Sequence, residues 1–227
     1  KPTGRPEAEM WLCDHPGAPC GVVVGDGSVT GLDELTAADR ERCLGPNVDT
    51  DRLPYLAKLL AAGAPLSIQA HPTLEQARAG FAAEEAAGVP VDAPHRNYKD
   101  ANHKPEMLVA LTHFSAMCGF RSPEVSSDSF EALAHALTEH ADGDTSAVAV
   151  AAARISQTLA AGDLEDAFTA ILDPESVWAA PGSVAQVVEV LRAAEDLAER
   201  DPSLATALEV AEHYPDDPGV IVAILLN

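Results

Sequence analysis

Basic residues are scarce in this sequence. Its 227 residues include 14 Lys and Arg against 36 Asp and Glu, so the formal net charge at pH 7 is −22. Because nucleic-acid binding depends on contacts between Lys or Arg and phosphates, this balance excludes a nucleic-acid-binding protein. Binding to an anionic membrane surface is disfavoured for the same electrostatic reason.

Long apolar runs are also missing, and cysteines are few. The longest apolar stretches, residues 147–153 and 220–226, are far shorter than the ~20 residues that cross a bilayer. No apolar run follows the first six residues, so no signal peptide is expected. The 4 cysteines show no CxxC spacing and are too few for a disulfide scaffold. These features predict a cytoplasmic protein with reduced cysteines.

The acidic surplus is concentrated in one half of the chain. Up to Arg121 there are 11 basic and 16 acidic residues, a net charge of −5. After Arg121 there are 3 basic and 20 acidic residues, a net charge of −17. Hydrophobic residues make up 47% and charged residues 22%, which is typical of a globular protein. The length fits one large domain or two modest ones.

The first half has the pattern of short strands separated by turns. Apolar or alternating runs at residues 21–24 and 65–71 lie between stretches rich in Gly and Pro, which indicates strands. One helix is predicted to begin after Thr73, a capping residue, and to end at Gly88. A second helix is predicted over residues 55–62.

The second half has the periodicity of consecutive helices with short loops, as in a helical bundle. The predicted helices cover residues 129–140, 146–161, 163–172, 184–200 and 203–214. Residues 220–226 resemble a strand, which is expected to pair with strands of the first half. The predicted domains are therefore residues 1–121, a helical insertion over residues 122–214, and a return strand within residues 215–227.

Polar side chains share one face of the strand predicted over residues 65–71. Alternation places Ser67, Gln69 and His71 on one side and apolar residues on the other. His71 offers an imidazole and Gln69 a carbonyl oxygen, so this face is interpreted as a wet or metal-binding surface. An ordinary solvent-exposed face explains the same alternation.

A second polar cluster covers residues 97–106 and leads into the apolar run 107–111. Glu106 stands at the start of that run. Its carboxylate is expected to face the same metal-binding surface as Gln69 and His71. One imidazole, one amide oxygen and one carboxylate suit Zn²⁺ or a similar cation, with a coordination position left for substrate.

Several segments resemble motifs of the type I phosphomannose isomerase family. Residues 65–72 (PLSIQAHP) and 97–106 (NYKDANHKPE) are similar to its two signature motifs. Further similar segments are residues 8–12 (AEMWL), His15 with Pro16, residues 53–58 (LPYLAK) and residues 214–227. The resemblance runs across nearly the whole chain.

This resemblance implies a zinc-dependent isomerase that interconverts mannose 6-phosphate and fructose 6-phosphate. The implied fold is a mixed α and β one: a cupin-type β-barrel, or jelly roll, with an inserted helical domain and a second cupin that is absent from this chain. Gln69, His71 and Glu106 match three of the family's metal ligands.

The resemblance also implies roles for residues around the metal. Lys104 and His103 match residues proposed in the family for proton transfer and ring opening. The residues that match positions near the substrate are Lys58, Ser67, Glu9 and Trp11. Simpler roles remain open: Trp11 as a core residue, Lys58 as a solvated helix lysine and Glu9 as a charge that protects an edge strand.

Parts of the family pattern have no counterpart in this sequence. The family's opening strand is missing, and its fourth metal ligand, a histidine, and a catalytic arginine lie beyond the segment that here ends at Asn227. The sequence is therefore expected to be the central piece of a longer isomerase. Its expected partners are a small sugar phosphate and the missing C-terminal portion of the same protein.

Two other classes of function remain in view. A non-catalytic cupin that binds a metal or a sugar would keep Gln69, His71 and Glu106 but would not need Lys104. An interaction protein would use its acidic helices to bind a basic partner, but no clustered acidic run supports this. The presence of Lys104 favours the enzyme.

Overall fold

The computed structural model describes residue 4 and residues 8–15, 17–140 and 146–227. Pro16 of the predicted motif and most of the first six residues lie outside this part of the chain. The chain forms two compact units, Lys1–Leu66 and Ser67–Asn227. This division by packing differs from the predicted boundary after Arg121, which stays a prediction.

The first unit contains two small antiparallel sheets and two short helices. Its elements are β1 (Glu9–Leu12), β2 (Gly21–Val23), β3 (Val29–Gly31), α1 (Leu32–Ala38), α2 (Arg40–Leu44) and β4 (Ala57–Leu60). Strand β1 pairs with β4, and β2 pairs with β3. The turn between β2 and β3 needs Gly27, whose φ of 82° lies in the left-handed region.

The prediction of a helix over residues 55–62 is wrong, because this segment contains β4. The run is short and apolar, and periodicity alone does not separate helix from strand in such a run. Pairing with β1 decides the outcome, since it satisfies the backbone groups of both strands. Helices α1 and α2 were not predicted, although Asp33, Glu34 and the capping residue Asp39 are signals of helix starts.

The second unit begins with an irregular segment and helix α3 (Leu74–Ala86). Thr73 caps the helix as predicted, and a full capping box is present: the Thr73 hydroxyl accepts from the Gln76 backbone, and the Gln76 side chain accepts from the Thr73 backbone. The α3 prediction is confirmed.

The strands predicted over residues 65–71 and 107–111 are absent from the described structure. Both segments are irregular, and neither belongs to a strand among the described residues. A strand is stable only when a neighbouring strand takes its backbone hydrogen bonds, and the described residues place no such strand beside them. The pattern of polar and apolar residues in a segment does not show whether a partner strand lies beside it.

Six further helices build the body of the second unit. They are α4 (Pro123–Glu139), α5 (Ala147–Ala160), α6 (Leu164–Leu172), α7 (Ser183–Ala193), α8 (Glu195–Arg200) and α9 (Pro202–Ala211). The series of helices confirms the sequence prediction with two differences. Helix α4 begins at Pro123, six residues before the predicted start, and the helix expected over residues 184–200 is divided at Ala194. Their apolar faces bury Phe130 and Leu133 of α4 in one core, which also holds Trp178 of the 3₁₀ turn Val177–Ala179.

The end of the chain is helical, so the prediction of a strand over residues 220–226 is wrong. Helix α10 (Gly219–Val222) continues into a 3₁₀ turn at Ala223–Leu225, and these residues lie in the bundle core. An all-apolar run fits a buried helix as well as a buried strand. The chain still returns to its earlier part: Leu226 bridges Phe120, and the Arg121 backbone donates to the Leu225 carbonyl.

The fold class is therefore mixed α and β, as expected. The four described strands form two separate two-stranded sheets, and no closed barrel is seen in the part of the chain that the structure describes. Within that part, no helix is both long enough and apolar enough to span a membrane.

Candidate active site

His71 and Glu106 are brought together by the fold of the second unit. The His71 imidazole Nε2 lies 3.5 Å from the Glu106 carboxylate Oε2, although the two residues are far apart in sequence. The Glu106 side chain is 74% exposed and that of His71 32%, so both remain accessible to a ligand. Gln69, the third predicted ligand, is exposed two residues before His71.

The described residues contain no group of three or more His, Cys, Asp or Glu side chains that could hold a metal ion. The predicted ligand set contains only two residues of these types, because its third member, Gln69, is an amide. Of this predicted set, His71 and Glu106 are the two residues whose side chains the structure records in contact.

Lys104 lies in the same irregular segment as Glu106. Its ammonium Nζ donates to the Asp100 carboxylate at 2.8 Å and to the Asn102 carbonyl at 3.3 Å. Burial tends to raise the pKa of Asp100, but hydrogen bonds from Lys104 and from the Asn102 backbone outweigh it, so the pKa lies below its ordinary value. Asp100 thus stays ionised and holds the Lys104 side chain in place.

Sequence reasoning missed the role of Asp100. The only signal in the sequence is that Asp100 and Lys104 carry opposite charges four residues apart, in a segment that is not helical. His103 and Ser67, two other predicted site residues, are exposed, and the structure records no hydrogen bond for either within the described residues.

In the first unit, Glu9, Trp11 and Lys58 form one cluster. Trp11 and Lys58 are directly opposite each other in the pairing of β1 with β4. The Trp11 indole Nε1 donates to Glu9 Oε2 at 2.6 Å, and Lys58 Nζ lies 3.3 Å from the same oxygen. The Lys58 ammonium also lies 4.9 Å from the centroid of the Trp11 ring, a cation–π contact.

The electrostatics of this cluster keep Glu9 ionised. The hydrogen bonds from Trp11 and then from Lys58 lower the pKa of Glu9 below its ordinary value. Lys58 belongs to a strand, so the simpler reading of it as a helix lysine is wrong. The cluster offers one ammonium group and one indole face on the same sheet.

The sequence of the chain matches a known protein family. The sequence model of the family described as phosphomannose isomerase type I, catalytic domain, matches residues 1–123, more than half of the chain. This chain belongs to the type I phosphomannose isomerase family.

Full-length relatives extend this match. The chain is 34% identical over 228 residues to mannose-6-phosphate isomerase of Escherichia coli, an alignment that covers 100% of the chain and 54% of the relative. It is 40% identical over 123 residues to the enzyme of Homo sapiens, covering 53% of the chain and 26% of the relative. The chain thus spans about half the length of the bacterial relative.

Solved structures show the same relationship. A mutant of phosphomannose isomerase from Salmonella typhimurium has a TM-score of 0.81 and 33% identity, with 100% of this chain and 54% of that chain covered. Mannose 6-phosphate isomerase from Salmonella typhimurium, bound to substrate (f6p) and zinc, has a TM-score of 0.79 and 34% identity, with 100% and 53% covered. The fold of the chain therefore matches about half of these isomerases.

Proposed function

We propose that this chain carries part of the active site of a zinc-dependent aldose–ketose isomerase, which interconverts mannose 6-phosphate and fructose 6-phosphate. Family membership and the likeness to a structure bound to f6p and zinc support this proposal. The observation that carries it is the His71–Glu106 pair, with Lys104 held by Asp100 in the same segment as Glu106.

The donor groups of the second unit fit a zinc ion. Imidazole nitrogen and carboxylate oxygen are both common zinc ligands, and the structure places them 3.5 Å apart and accessible. His71, Glu106 and the Gln69 amide oxygen are the residues that would hold the ion. A zinc ion held by these residues would supply Lewis-acid polarisation of the sugar carbonyl, which would make the neighbouring C–H bond more acidic.

Lys104 and His103 are proposed for proton transfer and ring opening. Isomerisation moves a proton from C2 of the open-chain aldose to C1 and a second proton from the C2 hydroxyl to the C1 oxygen, so a group that accepts and returns a proton is needed.

Glu9, Trp11, Lys58 and Ser67 are proposed to bind the substrate. A sugar phosphate needs a local cation in a protein of net charge −22, and the Lys58 ammonium provides one. The Trp11 indole beside it offers an apolar face to a sugar ring, while Glu9 orients both side chains.

We further propose that the two-stranded sheets belong to a cupin-type barrel, with residues 122–214 as its helical insertion and a second cupin in the longer protein. The remainder of that protein would be the partner of this chain. Exposed apolar side chains support this, since Met107 is 89%, Val109 68% and Leu111 80% exposed. The cytoplasm is the proposed location.

Two substitutions in the intact, full-length protein test the function. We expect His71→Ala to lose both bound zinc and isomerase activity, because it removes a ligand. We expect Lys104→Ala to keep zinc but to lower kcat by about 10²- to 10⁴-fold, because it removes a proton-transfer group. Elemental analysis and a coupled assay of fructose 6-phosphate formation give the two readouts.

His135→Ala on α4 is the control for the histidine substitution, since its side chain is 73% exposed in the helical bundle. It should change neither readout. Purified intact protein without a divalent metal would contradict the metal site. Zinc binding with undiminished turnover in Lys104→Ala would remove Lys104 from the reaction and favour a different base.

A further inference from the structure

Helix α3 connects the two segments that carry the proposed metal ligands. Its capping residue, Thr73, follows His71 by two residues. Near its other end, Glu84 contacts the start of the segment that runs to Lys104 and Glu106. The helix is therefore placed to set one ligand segment relative to the other.

Glu84 binds the backbone of this second segment with both carboxylate oxygens. Oε1 accepts from the Asn97 amide at 3.0 Å, and Oε2 accepts from the Tyr98 amide at 2.8 Å. The pKa of Glu84 lies below its ordinary value, mainly because its carboxylate accepts the hydrogen bond from the Asn97 amide. Burial tends to raise this pKa, and the positive charge of the nearby Arg96 lowers it further. Two bonds from an ionised carboxylate fix the position and the direction of the chain at this point.

The side chain of Arg96 contacts Glu84 and is fully buried. Its Nε donates to the Tyr98 carbonyl at 2.7 Å and lies 3.2 Å from Glu84 Oε2. Its guanidinium also donates to the Val89 carbonyl. The Nη2 atom lies 2.7 Å from Glu85 Oε1, an ion pair without the alignment of a hydrogen bond. A buried guanidinium with these partners resists displacement, because moving it would leave charges unpaired.

Packing secures the same point of contact. A Cβ atom on Gly80 would lie 2.4 Å from carbon atoms of the Tyr98 ring, so only glycine lets the ring approach α3 this closely. The Phe81 ring lies against the guanidinium, with 5.0 Å between Arg96 Cζ and the ring centroid.

Further hydrogen bonds fix the segment between Tyr98 and Lys104, the proposed catalytic lysine. Asp100 Oδ1 accepts from the Asn102 amide at 2.8 Å, and Oδ2 accepts from Lys104 Nζ at 2.8 Å. Glu84 on α3 thus holds the backbone at Tyr98, and Asp100, two residues further along the same backbone, holds Lys104.

We propose that Glu84 is a positioning residue for this site, held in place by Arg96: it anchors the segment of residues 97–106 on α3 and so sets where Lys104 and Glu106 stand relative to His71. Its use in turnover rests on the proposed function. Glu84 itself contacts backbone amides of the segment, and its effect on the reaction is exerted through Lys104 and Glu106. Misplacement of reacting groups by about 1 Å costs up to ~10²-fold in rate.

The test compares Glu84→Gln with Glu85→Gln in the full-length protein. Both substitutions remove one carboxylate that faces Arg96, but only Glu84 binds backbone amides of the segment. Amide hydrogen exchange over residues 97–104 reports the anchoring, and steady-state kinetics report its use.

In Glu84→Gln, we expect the amide hydrogens of residues 97–104 to exchange faster. We also expect kcat to fall by about 10- to 10²-fold, with a smaller change in KM. Glu85→Gln should resemble the unaltered protein in both readouts. Gly80→Ala, which displaces the Tyr98 ring and leaves both glutamates in place, should reproduce the effect of Glu84→Gln, and it decides the matter if Glu84→Gln does not fold.

Equal exchange in the two glutamine variants would overturn the anchoring. Faster exchange in Glu84→Gln with an unchanged kcat would overturn the positioning role. An unaltered protein without isomerase activity would refute the proposed function instead, and the exchange comparison would still decide whether Glu84 holds the segment.

Discussion

Two arginines with carboxylate partners, the buried Arg96 and the partly buried Arg121, hold the anchored segment and the helical bundle in place. In the second unit, Arg121 donates to the Ser129 hydroxyl at 3.0 Å and to the Ile224 carbonyl at 3.2 Å, and it lies 3.6 Å from Asp201. Its hydrogen bond to Ser203 completes the cluster. The cluster ties the start of the bundle, α9 and the end of the chain together.

Asp201 gives this cluster a defined pH dependence. Burial tends to raise its pKa, but hydrogen bonds from Ser129 and Ser203, together with Arg121, lower it below the ordinary value of 3.8. A carboxyl group whose pKa is lowered by folding stabilises the fold above its unfolded pKa. This contribution is lost as the pH falls through the lower folded value.

We expect Asp201→Asn to reduce the free energy of unfolding at pH 7 by about 1–2 kcal/mol, as hydrogen bonds to a charged group are lost. The difference from the unaltered protein should shrink as the pH falls below about 4. Urea unfolding at several pH values measures it, with Asp128→Asn, exposed on α4, as control. A difference independent of pH would contradict the assignment.

Among the elements, helices were predicted better than strands. The capping box at Thr73 and the apolar faces of α4 to α9 are local features, so the sequence indicates them directly. Strand β4 depends on its partner β1, which lies more than forty residues earlier. Residues 107–111 show the opposite error, since an apolar run without an observed partner strand remains irregular.

Helix α4 should contribute strongly to the bundle through Phe130, which is fully buried. We expect Phe130→Ala to lower the free energy of unfolding by about 3–5 kcal/mol, because it leaves a cavity in a packed core. Val125→Ala is the control on the same helix, since Val125 is 47% exposed and should have a small effect. Chemical denaturation measures both, and equal losses would contradict the assigned core.

Across the whole molecule, charge and apolar exposure are unevenly distributed. Most of the net charge of −22 comes from the helical half after Arg121, where 20 acidic residues face 3 basic ones. Four exposed apolar side chains stand close together in the segment that follows Glu106, at Met107, Leu108, Val109 and Leu111.

We expect residues 1–227 alone to bind an apolar fluorescent dye, and the full-length protein to bind much less, because its remainder is proposed to cover residues 107–111. Dye fluorescence at equal concentration measures the difference. Replacing Met107 and Leu111 by serine should lower the signal of the shorter chain, as both are at least 80% exposed. Equal dye binding by both lengths would refute the proposed covering.

The sequence by itself determined the family, the helical half and the candidate ligands, because motifs, helix caps and helical periodicity are all local. It predicted His71 and Glu106 as ligands of one metal ion, and the fold places His71 Nε2 3.5 Å from Glu106 Oε2. Only the tertiary structure decided that residues 57–60 pair as a strand, that residues 219–225 are helical, and that Glu84 and Arg96 anchor the segment carrying Lys104. These features depend on which distant groups satisfy buried charges and backbone hydrogen bonds, and no local pattern records that choice.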